Sequence, residues 1–199
     1  MKNKSNVAYI LRISLTLLLI TGVVAALLAV VNMVTAPIIA KANEEKTQAA
    51  IAQVMNISGE ATEIPFTDET GLVKKVYRSA GYIEGCLVST DMLVYYDYAV
   101  EVVPSGFDGE ITMMVGVDRH GKVTGISIIS HTETAGLGAV AGADNAKGEA
   151  FRNQFIGMSG TLAVSKDGGE VDAITGATIT SRAVTEGVNA ALACVAKGG

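Results

Sequence analysis

The sequence predicts an α+β protein in which one N-terminal transmembrane helix precedes a mainly antiparallel sheet packed with helices. Three observations support this fold class. No charged residue occurs from Ile13 to Ala40. Segments rich in β-branched and aromatic residues follow one another between residues 73 and 129, and an amphipathic helical pattern ends the chain. The 199 residues suffice for one membrane anchor and one modest domain.

The uncharged run exceeds the roughly 20 apolar residues that a helix needs to cross a bilayer. It is also longer than the roughly 7 to 15 apolar residues of a signal peptide, so we expect a retained anchor, although Ala40-Lys41-Ala42 resembles a cleavage site. Pro37 is expected to mark the end of the span. Basic residues flank the span at Lys2, Lys4 and Arg12 on one side and at Lys41 and Lys46 on the other. Their slight asymmetry predicts a single-pass protein of the cytoplasmic membrane, with its N-terminus in the cytoplasm.

The sequence divides into three regions. Residues 1–40 form the cytoplasmic N-terminus and transmembrane helix, residues 41–70 a helical stalk and linker, and residues 71–199 an extracytoplasmic domain. Within the stalk, apolar residues at helical spacing predict a helix over 43–56 that continues from the anchor. The turn-rich composition after residue 56 predicts that the linker follows it.

The soluble domain is predicted to contain five strands, a hairpin and two helices. The strands cover 73–77, 82–88, 95–103, 111–117 and 123–129, and Asp118-Arg119-His120-Gly121 marks a hairpin between the last two. A short helix covers 147–156, and 171–174 is interpreted as one more short strand. In the C-terminal helix, the spacing of Val184, Val188 and Ala191 indicates one buried face, and Thr180 or Ser181 is expected to cap the first turn.

Composition excludes some functions. The net charge is −5 and the acidic residues lie beyond the span, so no basic footprint for nucleic acid is present. Cys86 and Cys194 are the only cysteines, and they are far apart with no Cys-x-x-Cys spacing. We therefore expect no metal site within this chain. The two cysteines are compatible with a disulfide or with two buried thiols.

Three segments depart from the structural pattern. Thr175-Gly176-Ala177-Thr178 presents hydroxyls and bare backbone at the start of a helix, which suits an anionic phosphate but also fits a tight turn before a capped helix. His131 to Ala139 is a glycine-containing loop in which Leu137 is placed to lie against an aromatic ring, and a flexible surface loop is the alternative. Pro104 to Gly109 is a glycine turn between two strands.

Together these segments resemble the FMN-binding domain family. Asp172 to Thr178 is similar to its flavinylation motif, Asp-x-x-(Ser/Thr)-Gly-Ala-Thr, and His131 to Gly138 is similar to its Glu-Thr-Pro-Gly-Leu-Gly loop, with Ala135 where proline is usual. Gly106 to Gly109 resembles its glycine-aromatic turn. With the single anchor and the motif order, the chain is similar over nearly its whole length to the G subunits of Rnf electron-transport complexes.

The resemblance implies a covalent cofactor and a set of site residues. A separate flavin transferase would join FMN through its phosphate to Thr178. The residues implied to bind the cofactor are Thr134, Gly136, Leu137, Gly138, Thr175, Gly176, Ala177 and Thr180. Asp172 belongs to the recognition motif, and His131 and Glu133 are candidates for tuning the flavin.

The resemblance also implies a function and partners. The chain would carry electrons on the outer side of the membrane, as part of a complex that couples ferredoxin:NAD electron transfer to ion movement. Its partners would be the A, B, C, D and E subunits of that complex. Two alternatives remain at this point. One is a flavin carrier of another respiratory system, such as the related C subunits of sodium-pumping quinone reductases. The other is an anchored binding module without redox chemistry.

Overall fold

The structure is a computed structural model that describes residues 2–55, 61–82 and 94–198. The chain divides into two compact units, Met1–Glu45 and Lys46–Gly199. Helix α1 covers Lys2–Val54, and its segment from Arg12 onward is long and apolar enough to cross a membrane. Pro37, the expected end of the span, lies inside this helix, so the helix continues past it. The helix predicted over 43–56 forms the last part of α1, which ends at Val54.

Five antiparallel strands form the sheet of the second unit. They are β1 Thr62–Ile64, β2 Val73–Tyr82, β3 Val94–Val102, β4 Ile111–Val117 and β5 Val123–His131. Each strand pairs with the next along the chain, which gives the order β1-β2-β3-β4-β5. The predicted strands over 73–77, 95–103, 111–117 and 123–129 and the hairpin at Asp118 are confirmed. Beyond Tyr82, the strand predicted over 82–88 lies outside the described residues, as does Cys86.

One face of the sheet packs against the C-terminal helix α3, Thr178–Gly198. Alternate residues of β3 and β4 point to this face because side chains alternate along a strand. These buried strand residues are Val100, Val102, Ile111, Met113, Val115 and Val117, and they form one cluster with Val184, Val188 and Ala191 of α3. The predicted buried face of the C-terminal helix is therefore confirmed.

The opposite face of the sheet packs against the last turns of α1. Buried Ile51 and Val54 form a second cluster there with Tyr77, Ala99 and Met114. The Thr124 hydroxyl donates a hydrogen bond of 2.5 Å to the Val54 carbonyl oxygen. That bond satisfies one of the carbonyl groups that a helix leaves unpaired at its C-terminus.

Helix α2, Ala146–Asn153, lies between the sheet and α3 in sequence and is shorter than the predicted 147–156. The Asn145 side chain caps it by accepting hydrogen bonds from the backbone of Lys147 and Gly148. Phe151 and Phe155 pack edge to face, with ring centroids 5.6 Å apart. The helix is thus fixed both by its cap and by burial of its aromatic side.

The short strand predicted over 171–174 is wrong. Only Val171 of this segment makes a β-bridge, to Val164. The backbone N–H groups of the residues that follow donate hydrogen bonds to side chains instead of to a strand. The Asp172 N–H donates to Gln154 Oε1 at 2.8 Å, and the Ile174 N–H donates to the Ser181 hydroxyl at 2.9 Å. Because side chains from other segments take these hydrogen bonds, residues 172–174 lead directly into α3 without a strand partner.

Candidate functional site

A cleft of about 320 Å³ opens at the end of the sheet where β3 joins β4 and where β5 ends. Its volume lies within the roughly 300–1,000 Å³ that is typical of small-molecule sites. Three segments supply all but one of its lining residues: the turn between β3 and β4, the loop after β5, and the beginning of α3 with the two residues before it. The lining residues are Phe107, Glu133, Thr134, Leu137, Gly138, Lys166, Gly176, Ala177, Thr178, Ile179 and Thr180.

The turn between β3 and β4 presents an aromatic side chain to this cleft. The Gly106 N–H donates to the Gly109 carbonyl oxygen at 2.7 Å, which closes the turn. Gly109 has a φ of 143°, a conformation that residues with a side chain rarely adopt. Phe107 at the tip is 67% exposed. The turn therefore holds a large apolar ring at the mouth of the cleft instead of in the core.

Glu133 joins the three segments through its buried carboxylate. Oε1 accepts hydrogen bonds from the backbone N–H groups of Phe107 at 2.7 Å and Asp108 at 3.2 Å. Oε2 accepts a hydrogen bond of 2.5 Å from the Thr180 hydroxyl on α3. A Cβ atom at Gly106 or Gly138 would collide with this carboxylate, so glycine at both positions makes room for it. The carboxylate thereby fixes the relative positions of the turn, the loop and the helix.

The loop after β5 places Leu137 over the segment that precedes α3. The N–H groups of Leu137 and Ala139 both donate to the Thr134 carbonyl oxygen at 3.2 Å. Leu137 is 45% exposed, and its Cδ2 atom would lie 3.0 Å from a Cβ atom at Gly176. Gly176 also has a φ of 79°. Both the backbone conformation and the close neighbour therefore favour glycine at this position.

Helix α3 begins at Thr178, before both of the caps that the sequence suggested, Thr180 and Ser181. Neither Thr180 nor Ser181 precedes the helix as a cap does. The Thr180 hydroxyl donates to Glu133, and the Ser181 hydroxyl donates to the Ala177 carbonyl oxygen at 2.9 Å. Thr178 is half-buried at the edge of the cleft, where the free N–H groups of the first helical turn favour a negative charge.

Lys166 completes the site and was not among the residues predicted from the sequence. It lies in a short 3₁₀ turn, Ser165–Asp167, and its Nζ donates a hydrogen bond of 2.9 Å to the Thr178 hydroxyl oxygen. Next to it, the Asp167 carboxylate accepts two hydrogen bonds of 2.7 Å from the Arg182 guanidinium. Hydrogen bonding to Arg182 lowers the pKa of Asp167, so this carboxylate is ionised at neutral pH. No local sequence pattern marks Lys166, because its proximity to Thr178 depends on tertiary structure.

The structure brings together most of the residues that the sequence singled out. Thr134, Leu137, Gly138, Gly176, Ala177, Thr178, Thr180 and Glu133 all line the cleft. Gly136 and Thr175 are exposed neighbours of lining residues. Asp172 is also exposed, and its backbone pairs with the Gln154 side chain. His131 ends β5, with Nδ1 buried and unpaired and its ring beside Gly142. Among the described residues, no group of three or more His, Cys, Asp or Glu side chains could hold a metal ion.

The chemistry of the cleft suits a ligand with a flat apolar part and an anionic end. Phe107, Leu137 and Ile179 are large, exposed apolar side chains around it. The Lys166 ammonium and the N-terminus of α3 provide positive charge for the anionic end, next to the Thr178 hydroxyl. The residues present therefore fit a flavin mononucleotide, whose ring is planar and whose phosphate is anionic.

Two family models match the chain. A model described as the FMN-binding domain matches residues 106–193, which include every residue that lines the cleft. A model described as the RnfG N-terminal region matches residues 1–54, which coincide with α1. The first match in the chain covers the predicted anchor, and the second covers the three segments that resemble the FMN-binding domain family.

Similar proteins carry consistent names. The G subunit of the Na⁺-translocating ferredoxin:NAD⁺ oxidoreductase complex of Acetobacterium woodii is 34% identical, over 90% of this chain and 88% of that protein. The G subunit of an ion-translocating oxidoreductase complex of Methanosarcina acetivorans is 27% identical, over 92% of this chain and 93% of that protein. A match to the G subunit of the proton-translocating complex of Clostridium ljungdahlii, 44% identical, spans 48% of this chain and 51% of that one.

Among solved structures, the C subunit of the Na⁺-translocating NADH-quinone reductase of Parabacteroides distasonis matches with a TM-score of 0.47 and 22% identity, over 77% of this chain and 92% of that chain. The assignment depends instead on the relative from Acetobacterium woodii, which is similar over nearly its full length, and on the two family models. The chain belongs to the RnfG family, the G subunits of ion-translocating ferredoxin:NAD⁺ oxidoreductase complexes, and its residues 106–193 belong to an FMN-binding domain.

Proposed function

We propose that this chain carries FMN bonded through its phosphate to Thr178 and relays electrons within an Rnf complex. The observation that carries the proposal is the position of the Thr178 hydroxyl. It lies at the edge of the cleft, at the first residue of α3 and within hydrogen-bond distance of a lysine. An attached phosphate would therefore face both an ammonium group and the free N–H groups of a helix N-terminus.

The rest of the cleft would hold the flavin ring. Leu137 and Phe107 are exposed lining residues, and a ligand that covered them would remove apolar surface from water. Thr134 and Thr180 line the same space, and their polar groups could orient the ring or the ribityl chain. When bound, FMN supplies the electron-carrying chemistry, and the protein contributes its position and electrostatic surroundings.

Attachment requires a second protein. A flavin transferase would cleave FAD and join its FMN part to the Thr178 oxygen. Gly176 and Ala177 precede this threonine, and Gly176 is exposed, which leaves space for the active site of another enzyme to approach. The Glu133 carboxylate is already occupied by three donors, so the base that removes the hydroxyl proton would come from the transferase.

The domain would act on the extracytoplasmic side of the cytoplasmic membrane, next to the A, B, C, D and E subunits. The basic residues Lys2, Lys4 and Arg12 before the span favour this orientation. A membrane location is supported by α1, which is long and apolar enough for an anchor, and membership of the complex by the names of the relatives, which belong to ion-translocating oxidoreductase complexes. In such a complex the FMN would be one carrier on the path that couples ferredoxin oxidation to ion movement.

Coexpression with a flavin transferase tests the attachment site. Thr178→Ala should abolish covalent FMN, as detected by peptide mass spectrometry and by fluorescence of the denatured polypeptide. Thr175→Ala is the matched control, because that hydroxyl is in the same motif and exposed but does not line the cleft. It should reduce attachment less. Covalent FMN on the Thr178→Ala chain, or none on the wild type despite an active transferase, would refute the proposal.

The predicted topology has its own test. In a chain whose Cys86 and Cys194 are replaced by serine, a cysteine introduced at Asn43 should react with a membrane-impermeant thiol reagent in intact cells whose outer envelope is permeable. Asn43 is an exposed residue of α1. A cysteine introduced at Asn3 provides the control and should react only after lysis. Labelling of the Asn43 position only after lysis would place the domain in the cytoplasm.

A further inference from the structure

Lys166 is the one cationic residue among the described residues that line the cleft. It comes from a segment twelve positions before Thr178, and its Nζ lies 2.9 Å from the Thr178 hydroxyl oxygen. Glu133 is the other charged lining residue, but its carboxylate faces inward onto three hydrogen-bond donors. The positive charge of Lys166 is therefore the charge presented where a phosphate would join Thr178.

A second contact holds the lysine segment against α3. Asp167, the next residue, binds Arg182 through two hydrogen bonds of 2.7 Å. Thr178 and Arg182 are four residues apart on α3, so they lie on the same face of the helix. Lys166 and Asp167 thus make two neighbouring contacts with that face. Such a pair limits the positions that the long lysine side chain can take, which reduces the entropy lost when it binds an anion.

We propose that Lys166 is a positioning residue for flavin attachment and the cationic partner of the resulting phosphodiester. The inference rests on the proposed attachment at Thr178. Before attachment, the ammonium group holds the threonine hydroxyl at the edge of the cleft. After attachment, the phosphorus is bonded to the same oxygen that Lys166 contacts, so the non-bridging phosphate oxygens come within reach of Nζ.

The reaction that Lys166 assists is a substitution at phosphorus without any change of oxidation state. The Thr178 oxygen forms a bond to the phosphorus of the FMN half of FAD. The bond from that phosphorus to the bridging oxygen breaks, and AMP leaves with that oxygen. The proton of the threonine hydroxyl passes to a base of the transferase. The phosphodiester formed keeps one negative charge, which the Lys166 ammonium balances.

The rate of flavin attachment to the full-length chain tests this role, with purified transferase and FAD and with intact mass as the measurement. Lys166→Gln should attach FMN roughly tenfold more slowly, because a hydrogen bond from a charged group is lost at a partly exposed site. Lys166→Arg should recover most of the rate, since it restores the charge. Lys122→Gln is the control, because this exposed lysine lies at the end of the β4–β5 hairpin that is away from the cleft.

Phosphorus NMR of the fully flavinylated chains adds a readout that a merely structural role would not change. Lys166→Gln should shift the phosphodiester resonance, and Lys122→Gln should leave it in place. Wild-type rate and an unshifted resonance for Lys166→Gln would overturn the role of the lysine while the attachment at Thr178 stands. Failure of the wild type to acquire FMN would instead overturn the proposed function. Equal losses in Lys166→Gln and Lys122→Gln would likewise contradict a specific role.

Discussion

The two sides of the cleft are built in different ways. On the inner side, Glu133 is buried and its carboxylate accepts three hydrogen bonds from the turn and from α3. On the outer side, Thr178 is half-buried and its hydrogen bond comes from Lys166, which is exposed. The inner side has its polar groups satisfied within the protein. The outer side leaves a hydroxyl group and a cation accessible from solvent.

This difference separates the shape of the cleft from its chemistry. Separating a buried carboxylate from its hydrogen-bond donors has a large free-energy cost, so we expect the inner side to keep its shape. An exposed lysine and hydroxyl exchange their contact for water at little cost, so the outer side can open to another enzyme. We therefore expect substitutions on the inner side to change stability and substitutions on the outer side to change attachment.

The largest effect should follow from Glu133→Ala. It leaves the Thr180 hydroxyl and the N–H groups of the turn without their acceptor, and the free energy of unfolding should fall by about 2–4 kcal/mol. Thr178→Ala should change it by less than about 0.5 kcal/mol, because it removes one exposed contact. Denaturant unfolding of the purified full-length chains in detergent measures both values. Equal stability of the two variants would refute the distinction between inner and outer sides.

A smaller loss should follow from Gly176→Ala. Alanine at a φ of 79° costs about 1–2 kcal/mol, and the new methyl group would also press against Leu137. Gly157→Ala is the matched control, because Gly157 has a φ of 82° but no atom near the added methyl group. Both variants should lose similar stability, and only Gly176→Ala should also slow FMN attachment. Normal attachment to Gly176→Ala would show that the Leu137 contact does not shape the site.

Leu137→Asp should affect the bound flavin without affecting attachment. If Leu137 lies against the ring, a carboxylate there should shift the visible spectrum and lower the reduction potential, since negative charge disfavours adding electrons. Ile156→Asp is the matched control, because both side chains are about half exposed but Ile156 does not line the cleft. An unchanged spectrum and potential in flavinylated Leu137→Asp would place the ring elsewhere.

The parts of the molecule that the sequence predicted well are those governed by local periodicity. The β-branched residues of β4, such as Ile111, Val115 and Val117, predicted a strand, and β4 has the predicted bounds. The prediction failed at 171–174, where apolar residues suggested a strand. There the Gln154 and Ser181 side chains, from elsewhere in the chain, take the backbone hydrogen bonds. Local pattern cannot reveal such a competing partner.

The same distinction holds within the cleft. Thr178, Leu137 and Gly176 belong to short motifs, so the resemblance to a family identified them before the fold was known. Lys166 belongs to no such motif, and its approach to Thr178 depends on tertiary contacts: Val164 bridges Val171, and Asp167 binds Arg182 of α3. The inward direction of Glu133 was likewise not predictable, because it depends on space left by glycines from two separate segments.

The smallest effect should follow from Asp167→Asn, which weakens the contact to Arg182 while keeping Lys166. Both partners are exposed, so stability at neutral pH should fall only slightly, and FMN attachment should slow less than in Lys166→Gln.

The pH dependence of this small effect follows from the lowered pKa of Asp167, which results mainly from hydrogen bonding to Arg182. The folded-state pKa of Asp167 lies below its ordinary value of 3.8. The Asp167–Arg182 pair therefore stabilises the fold above pH 3.8, and this stabilisation is lost as the pH falls through the folded-state pKa. The small difference in melting temperature between wild type and Asp167→Asn should therefore exist at neutral pH and vanish in that acidic range. A slower attachment in Asp167→Asn than in Lys166→Gln would show that the Arg182 contact acts on the site by some route other than the position of the lysine.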